Sequence, residues 1–160
     1  MSRYVFDIET NGLLKELNTV WIIYVIDIAQ YWLPFQGDTG WIDVFNKAEL
    51  LIGHNVRSFD FPALEKVYKY VLPRSVNVHD TLLMSIVLNY RRFGDRGHSM
   101  AVWGEMLGQS KVEHEDWTQY SEKMRIRCEG DIFLNLEIYK KVLAEYRHLY
   151  SIAPNIKPYL

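Results

Sequence analysis

Apolar residues in the first half of the chain fall into short continuous runs rich in β-branched and aromatic side chains. Runs of this length and composition, bounded by turn residues such as Gln36-Gly37-Asp38, are typical of strands. The predicted strands are residues 4–8, 19–29, 31–35 and 77–79, and residues 48–54 form either a further strand or a helix that leads into one.

The second half of the chain has mostly helical spacing. Apolar residues recur at the 3.6-residue period over residues 61–70. Asp80-Thr81 supplies an N-cap signal for a helix over residues 82–88. The predicted helices are residues 61–70, 82–88, 98–107 and 120–150, with a charged, glycine-containing loop at 91–97. Strands followed by helices predict an α/β fold with a central mixed sheet. We expect one domain over residues 1–150 and a tail at 151–160.

Composition narrows the function classes. The chain has 160 residues, is 49% hydrophobic and carries a net charge of −2. A protein that binds nucleic acid through bulk charge should be basic, so such binding would have to be local or metal-assisted. The single cysteine excludes an intrachain disulfide framework and a cysteine-rich zinc site. No signal-peptide pattern is present, and the apolar run at 20–29 is about half a membrane span. We therefore expect a soluble, cytoplasmic protein with no membrane partner.

Four carboxylates stand in apolar surroundings. Asp7 and Glu9 lie two residues apart in the first strand, so both point to one face and repel each other unless a proton or cation lies between them. Asp60 opens a helix, where it could simply be an N-cap. Asp131 lies in the last helix, where it could simply pair with Arg127 at i, i+4.

Taken together, the four acids indicate a metal centre. Carboxylate oxygens are hard ligands that suit Mg²⁺ or Mn²⁺. Two such ions about 4 Å apart can clamp a phosphodiester, with one ion activating water and the other holding the leaving oxygen. The ions would also supply the positive charge that the composition lacks.

The order of the motifs resembles the DEDD superfamily of 3′–5′ exonucleases. The chain has Asp-x-Glu-Thr near the N-terminus, then "GHNVRSFDFPAL", then Asp-Thr, then "GHSMAVWGEMLGQSK" and a helix with the last Asp. The set is most similar to the proofreading domains of family-A DNA polymerases, particularly phage ones, over residues 3 to 145. The resemblance implies an RNase H-like fold.

The resemblance also implies a function and a set of roles. It implies a divalent-metal-dependent 3′–5′ exonuclease that acts on single-stranded or frayed DNA 3′ ends, either alone or as the editor for a separate DNA polymerase. Asp7 would bridge two Mg²⁺ or Mn²⁺ ions, Glu9 and Asp131 would complete the first site, and Asp60 would hold the second ion. Leu13 and Asn55 would contact the terminal nucleotide, although Leu13 could also be an ordinary packing residue.

The third motif departs from the family. Where relatives place a Tyr four residues before the last Asp, or a His five before it, this chain has Arg127 and Ile126. Arg cannot act as a general base at neutral pH, but it could bind the scissile phosphate or pair with a carboxylate. A residue that acts as a general acid or base typically raises the reaction rate by about 10²–10⁴-fold. Other candidates for the base are Tyr120, His98 and His114.

Two alternatives therefore stay open: a catalytically weakened module that binds nucleic acid or a protein partner, and a 3′–5′ exoribonuclease. Basic residues cluster in two places, and a solvated surface is the simple interpretation of each. Because the chain is acidic overall, these clusters are also the best candidates for phosphate contacts. One comprises Arg91, Arg92 and Arg96, and the other comprises Lys123, Arg125 and Arg127.

Overall fold

The computed structural model describes residues 2–28, 32–36, 38–109 and 116–152, with the backbone alone for 32–34. The elements in chain order are β1 (Arg3–Thr10), β2 (Val20–Asp27), β3 (Trp32–Phe35), α1 (Trp41–Lys47), β4 (Leu50–Gly53), α2 (Asp60–Tyr68), β5 (Asn77–Asp80), α3 (Thr81–Leu88), a 3-10 turn (Gly94–Arg96), α4 (Met100–Leu107) and α5 (Glu122–Ile152). Within the described ranges, no helix has the length and apolar character that a membrane span requires.

The five strands form one mixed sheet in the order β3-β2-β1-β4-β5. β1 pairs antiparallel with β2 and parallel with β4, β2 pairs antiparallel with β3, and β4 pairs parallel with β5. The prediction of an α/β fold with a central mixed sheet is therefore confirmed.

Helices cover both faces of this sheet. Val5 of β1 belongs to a buried cluster with residues of α3, α4 and α5, whereas its neighbour Phe6 belongs to a second cluster with residues of α1 and α2. The alternation follows from the two-residue period of a strand. β2 is apolar at nearly every position because both of its faces are covered, which explains its continuous hydrophobic run.

Some predicted helix boundaries are wrong, and α1 was not predicted. α4 begins at Met100 rather than His98, because the Ser99 hydroxyl accepts a hydrogen bond from the Val102 amide and caps the helix there. α5 runs from Glu122 to Ile152 rather than over the predicted residues 120–150, and residues 153–160 lie outside the described ranges.

Candidate functional site

The first strand carries two acids past the end of its parallel neighbour. β1 pairs with β4 only as far as Val5, which lies opposite Ile52, and then continues to Thr10 alongside β2 alone. Asp7 and Glu9 share the face of Val5, which is the face covered by α5. Both carboxylates therefore point into the space that opens where β4 ends.

The loop after β4 delivers the third acid, and its path packs the Val56 side chain closely against Gly53. A Cβ at Gly53 would lie 2.0 Å from Val56 Cγ1, so a larger residue would not fit against the turning chain. Asn55 adopts φ 64°, a left-handed conformation that Asn tolerates well. The loop then enters α2, where Asp60 is the first helical residue.

Asp80 holds this loop in place from the end of β5. Its carboxylate accepts hydrogen bonds from the amides of Asn55 (2.9 Å) and Arg57 (3.1 Å). It also caps α3 by accepting from the Leu82 amide at 3.1 Å. The N-cap prediction for Asp80 is confirmed, and the same side chain ties two neighbouring segments together.

Asp60 does not cap its own helix. Phe59 occupies the N-cap position and no side-chain cap bond is made, so the N-cap interpretation of Asp60 is wrong. The side chain is 4% exposed. Its Oδ1 has no hydrogen-bond partner among the described residues. Burial raises the pKa of Asp60 well above its ordinary value, and the negative charge of Asp7 raises it further.

The fourth acid comes from α5, together with a guanidinium and a thiol. Arg127 donates from Nη1 to both oxygens of Glu9, at 2.7 and 2.8 Å, and its Nη2 lies 3.6 Å from Asp131 Oδ2. The predicted i, i+4 pair is therefore present, and a second, long-range partner is added. Cys128 is buried and its Sγ lies 3.6 Å from Asp7 Oδ2. Burial raises the pKa of the Cys128 thiol well above its usual value, and the nearby Asp7 and Glu9 charges add to this.

The Arg127 side chain is also held from its outer side. Its guanidinium carbon lies 4.8 Å from the centre of the Trp117 ring, which is cation–π distance. The Trp117 carbonyl accepts a hydrogen bond of 3.0 Å from Trp21 Nε1 of β2. Sheet and loop thus fix the Arg127 position between Glu9 and the indole.

These residues meet in one cleft of about 490 Å³. The cleft brings together side chains that are widely separated in sequence, and seven of them were predicted as site residues. The predicted residues that line it are Asp7, Glu9, Leu13, Asn55, Asp60, Arg127 and Asp131. Leu13 is 74% exposed, so it is not a core residue.

The remaining predicted residues do not line the cleft. Arg92 pairs with Glu145 and stacks over Trp103, and Arg96 pairs with Glu105 at 3.0 Å. Arg91 is exposed and, like the other two, does not line the cleft. These three arginines are therefore not among the residues that line the cleft.

The structure does not place the described candidates for the general base, His98 and Tyr120, in the cleft. His98 is buried, bonded to Ser85 and to the Tyr90 carbonyl, and Tyr120 packs against the core on the α5 side of the sheet. Neither residue lines the cleft. His114 lies outside the described residues.

Three residues at or under the cleft were missed by sequence reasoning. Trp117 has no periodic apolar pattern around it in the sequence. His54 lines the cleft, and its Nδ1 lies 2.9 Å from Thr81 Oγ1, which donates to Asn135 Oδ1 at 2.6 Å. Cys128 was considered only for a disulfide framework and a cysteine-rich zinc site, both of which a single cysteine excludes. For His54 the signal was available, since it directly precedes Asn55 in the second motif.

Known proteins resemble this chain in sequence and in structure. No protein-family model matches the chain. The DNA-directed DNA polymerase of Escherichia phage T7 is 25% identical over 189 residues, covering 88% of this chain. The chain spans 26% of that polymerase, about a quarter of its length.

Solved structures share the fold at lower identity. Brucella melitensis NrnC with bound Mg²⁺ matches with a TM-score of 0.69 and 17% identity, over 92% of this chain and 75% of that one. Escherichia coli RNase D, an exoribonuclease, matches with a TM-score of 0.67 and 16% identity, over 92% of this chain and 40% of that one. At this identity the likeness shows the fold alone, and the predicted α/β, RNase H-like fold class is confirmed.

Proposed function

We propose that the chain is a divalent-metal-dependent 3′–5′ exonuclease whose active site is the acidic cleft. The observation that carries this proposal is the convergence of Asp7, Glu9, Asp60 and Asp131 in one cleft, from β1, α2 and α5. Four carboxylates in a mostly buried site are costly without compensating cations. The polymerase and exonuclease relatives support the choice of reaction.

The residues present suit divalent ions. Asp60 Oδ1 is buried and has no hydrogen-bond partner among the described residues, which is the state expected of an oxygen kept for a ligand. We assign Asp7, Glu9, Asp60 and Asp131 as the ligands of two ions, Mg²⁺ or Mn²⁺. When bound, such ions would stabilise the developing charge of the phosphoryl group and lower the pKa of the attacking water.

The cleft also offers groups for the 3′ end of a strand. Leu13 presents an exposed apolar side chain at the rim, where it can pack against the face of a terminal base. Asn55 can donate and accept hydrogen bonds from its amide, and its backbone is fixed by the Asp80 carboxylate. A base held on Leu13 with its phosphate over the acids would orient the scissile bond toward the ions.

Arg127 makes this site different from that of its relatives. Its guanidinium donates hydrogen bonds to both oxygens of the Glu9 carboxylate. A cation that binds Glu9 therefore has to displace Arg127 or share the carboxylate with it. A displaced guanidinium, still beside Trp117, would be available to the substrate phosphate, for which its planar fork is suited. We expect slower hydrolysis than in a site with a phenol here.

DNA is the proposed substrate, because a relative by sequence is a DNA polymerase. An exoribonuclease is the second candidate, and RNase D among the structural neighbours favours it. A partnership with a DNA polymerase rests on the same sequence relationship alone. The basic loop with Arg91, Arg92 and Arg96 stays a proposal for contacts to a longer strand.

A single digestion experiment tests the proposal. Single-stranded DNA and RNA of one sequence, labelled at either end, are incubated with Mg²⁺, Mn²⁺ or EDTA and sampled over time. We expect 5′-labelled DNA to shorten stepwise with metal, 3′-labelled DNA to release mononucleotide at once, and EDTA to stop both. Asp7→Asn, purified in parallel, controls for a contaminating nuclease. Binding without shortening would instead support a weakened binding module.

A further inference from the structure

The loop that joins β1 to β2 presents Leu13 on a fixed support. The Leu13 side chain is 74% exposed and lines the acidic cleft. The ends of the loop are tied together, because the Asn11 amide donates to the Thr19 carbonyl (3.1 Å) and Asn11 Oδ1 accepts from the amides of Asn18 and Thr19 (3.0 and 3.1 Å). Leu17 is 1% exposed and anchors the loop in the core cluster of α1 and α2. An exposed apolar side chain is therefore held at the rim by an anchored loop.

A lysine of α2 adds two further hydrogen bonds to this loop. Lys66 Nζ donates to the carbonyls of Leu14 (2.7 Å) and Lys15 (3.0 Å), the two residues that follow Leu13. Hydrogen bonds from a charged donor are roughly twice as strong as those between neutral groups. Lys66 is exposed, so it contributes to the position of the loop rather than to the core. None of the roles assigned to the acids or to Leu13 uses this lysine.

The same helix carries one of the four acids. Asp60 is the first residue of α2, and Lys66 lies in its last turn. At 1.5 Å per residue, the two residues are separated by about 9 Å along the helix axis. Because α2 packs on the sheet through the buried residues Ala63 and Leu64, the helix fixes the distance from the acids to the Leu13 loop.

We propose that Lys66 is a positioning residue that holds Leu13 over the cleft, so that the Leu13 side chain packs on the 3′-terminal base of a bound strand. The inference rests on the proposed function. A loop that becomes ordered only on binding loses conformational freedom at that moment, whereas a preorganised loop does not. Loosening the loop should therefore weaken the hold on the terminal base. Lys66 acts through Leu13 and not through a contact of its own with the strand.

The test is a double-mutant cycle on strand binding. The strand is a 5′-fluorescent single-stranded DNA whose last linkage is a phosphorothioate, which resists hydrolysis, and anisotropy in Mg²⁺ gives its dissociation constant. We expect Leu13→Ala to weaken binding by about 5- to 10-fold, from the apolar area that a base covers on leucine. Lys66→Met should weaken binding by about 3- to 10-fold in wild type, and by less than about 2-fold when Leu13 is already Ala.

The same strand without its 3′-terminal base identifies the contact. If Lys66 acts through Leu13, wild type and Lys66→Met should bind this abasic strand equally, within about 2-fold. Lys69→Met is the matched control, because it removes the same charge from the end of the same helix, where Lys69 Nζ donates to the Lys66 carbonyl at 3.2 Å. This control should bind both strands as wild type does.

Hydrogen exchange measures the loop without any strand. The amides of Glu16 and Leu17 donate to the Leu13 carbonyl at 2.9 and 2.8 Å, so they are protected as long as the loop is closed. Lys66→Met should raise the exchange rates of these two amides by about 3- to 10-fold, the factor expected for the loss of affinity. The amides of β1 should keep their wild-type rates, which shows that the variant is folded.

Three results would overturn the inference. The first is unchanged exchange of the loop amides in Lys66→Met, and the second is wild-type affinity of that variant. The third is a Lys66→Met loss that persists in Leu13→Ala or with the abasic strand. Lys66 would then bind a phosphate itself, and its removal would make the log–log salt dependence shallower by about 0.7. A positive cycle with faster exchange but no digestion refutes the proposed hydrolysis alone, whereas digestion with unchanged exchange refutes this inference alone.

Discussion

Replacing Arg127 by Met tests whether the guanidinium and a divalent cation compete for Glu9. The guanidinium is bonded to both Glu9 oxygens, and the two side chains are 16% and 6% exposed. Met keeps most of the side-chain volume and can still pack on Trp117, so the change removes mainly the charge. Glu9 is then left buried beside Asp7 and Asp131 without its cation.

The expected loss in metal-free protein is large. Removing one partner of a buried ion pair costs about 3–5 kcal/mol. We expect the lower end, about 3 kcal/mol, because Arg127 keeps some contact with solvent. In a domain of this size about 2–4 °C corresponds to 1 kcal/mol, so the melting temperature in EDTA should fall by about 6–12 °C.

Mn²⁺ should restore much of the stability that Arg127→Met loses in EDTA. An ion that binds only the folded state stabilises it by about 2.7 kcal/mol at 100 times its dissociation constant. The variant should gain more than wild type, because its Glu9 is available without first breaking the bond to Arg127. Thermal unfolding in EDTA and in millimolar Mn²⁺ measures the difference in melting temperature between wild type and variant under each condition.

Arg125→Met is the matched control, two residues earlier on α5. Arg125 is 31% exposed and pairs with Glu122 and Glu129 outside the cleft. Surface pairs contribute about 0–1 kcal/mol, so this variant should lose little stability and show no dependence on Mn²⁺. An Arg127→Met loss that is equal in EDTA and Mn²⁺ would refute the competition for Glu9.

Three further variants test the surroundings of the cleft. The pKa of Asp60 is raised well above its ordinary value of 3.8 in the folded protein. Metal-free protein therefore loses stability as the pH rises from about 3.8 through the folded-state pKa. Asp60→Asn should remove that loss, so in EDTA it should unfold at higher temperature than wild type near neutral pH, and equal pH profiles would contradict this. Asp80→Ala removes a cap and two loop anchors and should cost about 3 kcal/mol in denaturant unfolding, while a loss below about 1 kcal/mol would show that the loop holds itself. Gly53→Ala places a Cβ against Val56 and should cost about 1–3 kcal/mol, partly recovered with Val56→Ala; strictly additive losses would argue against the clash.

Local periodicity was enough to predict the sheet and one edge of the cleft. Asp7 and Glu9 share a face because strand side chains alternate, and this holds whatever the rest of the fold does. α1 escaped prediction because it is seven residues long, and its main apolar contacts, Trp41 and Phe45, make only one helical repeat. Its helical state depends on packing against the sheet rather than on sequence pattern.

The partners of Arg127 show the limit of sequence reasoning. Asp131 is one helical turn away and was predicted as a partner, whereas Glu9 is 118 residues distant along the chain. That contact exists because α5 crosses the face of β1 that carries Glu9, which is a property of the whole topology. The Trp117 contact has the same origin, since Trp21 of β2 holds the Trp117 carbonyl in place.

Anomalous diffraction from crystals of this chain soaked in Mn²⁺ tests the central claim most directly, because it locates the ions relative to named side chains. The account predicts anomalous peaks within coordination distance of Asp7, with Glu9, Asp60 and Asp131 completing the ligand sets and the Arg127 guanidinium moved off Glu9. Crystals of Asp7→Asn treated identically should lose the peaks. An empty cleft at millimolar Mn²⁺, with Arg127 still bonded to Glu9, would contradict the assignment of these four carboxylates as a metal site.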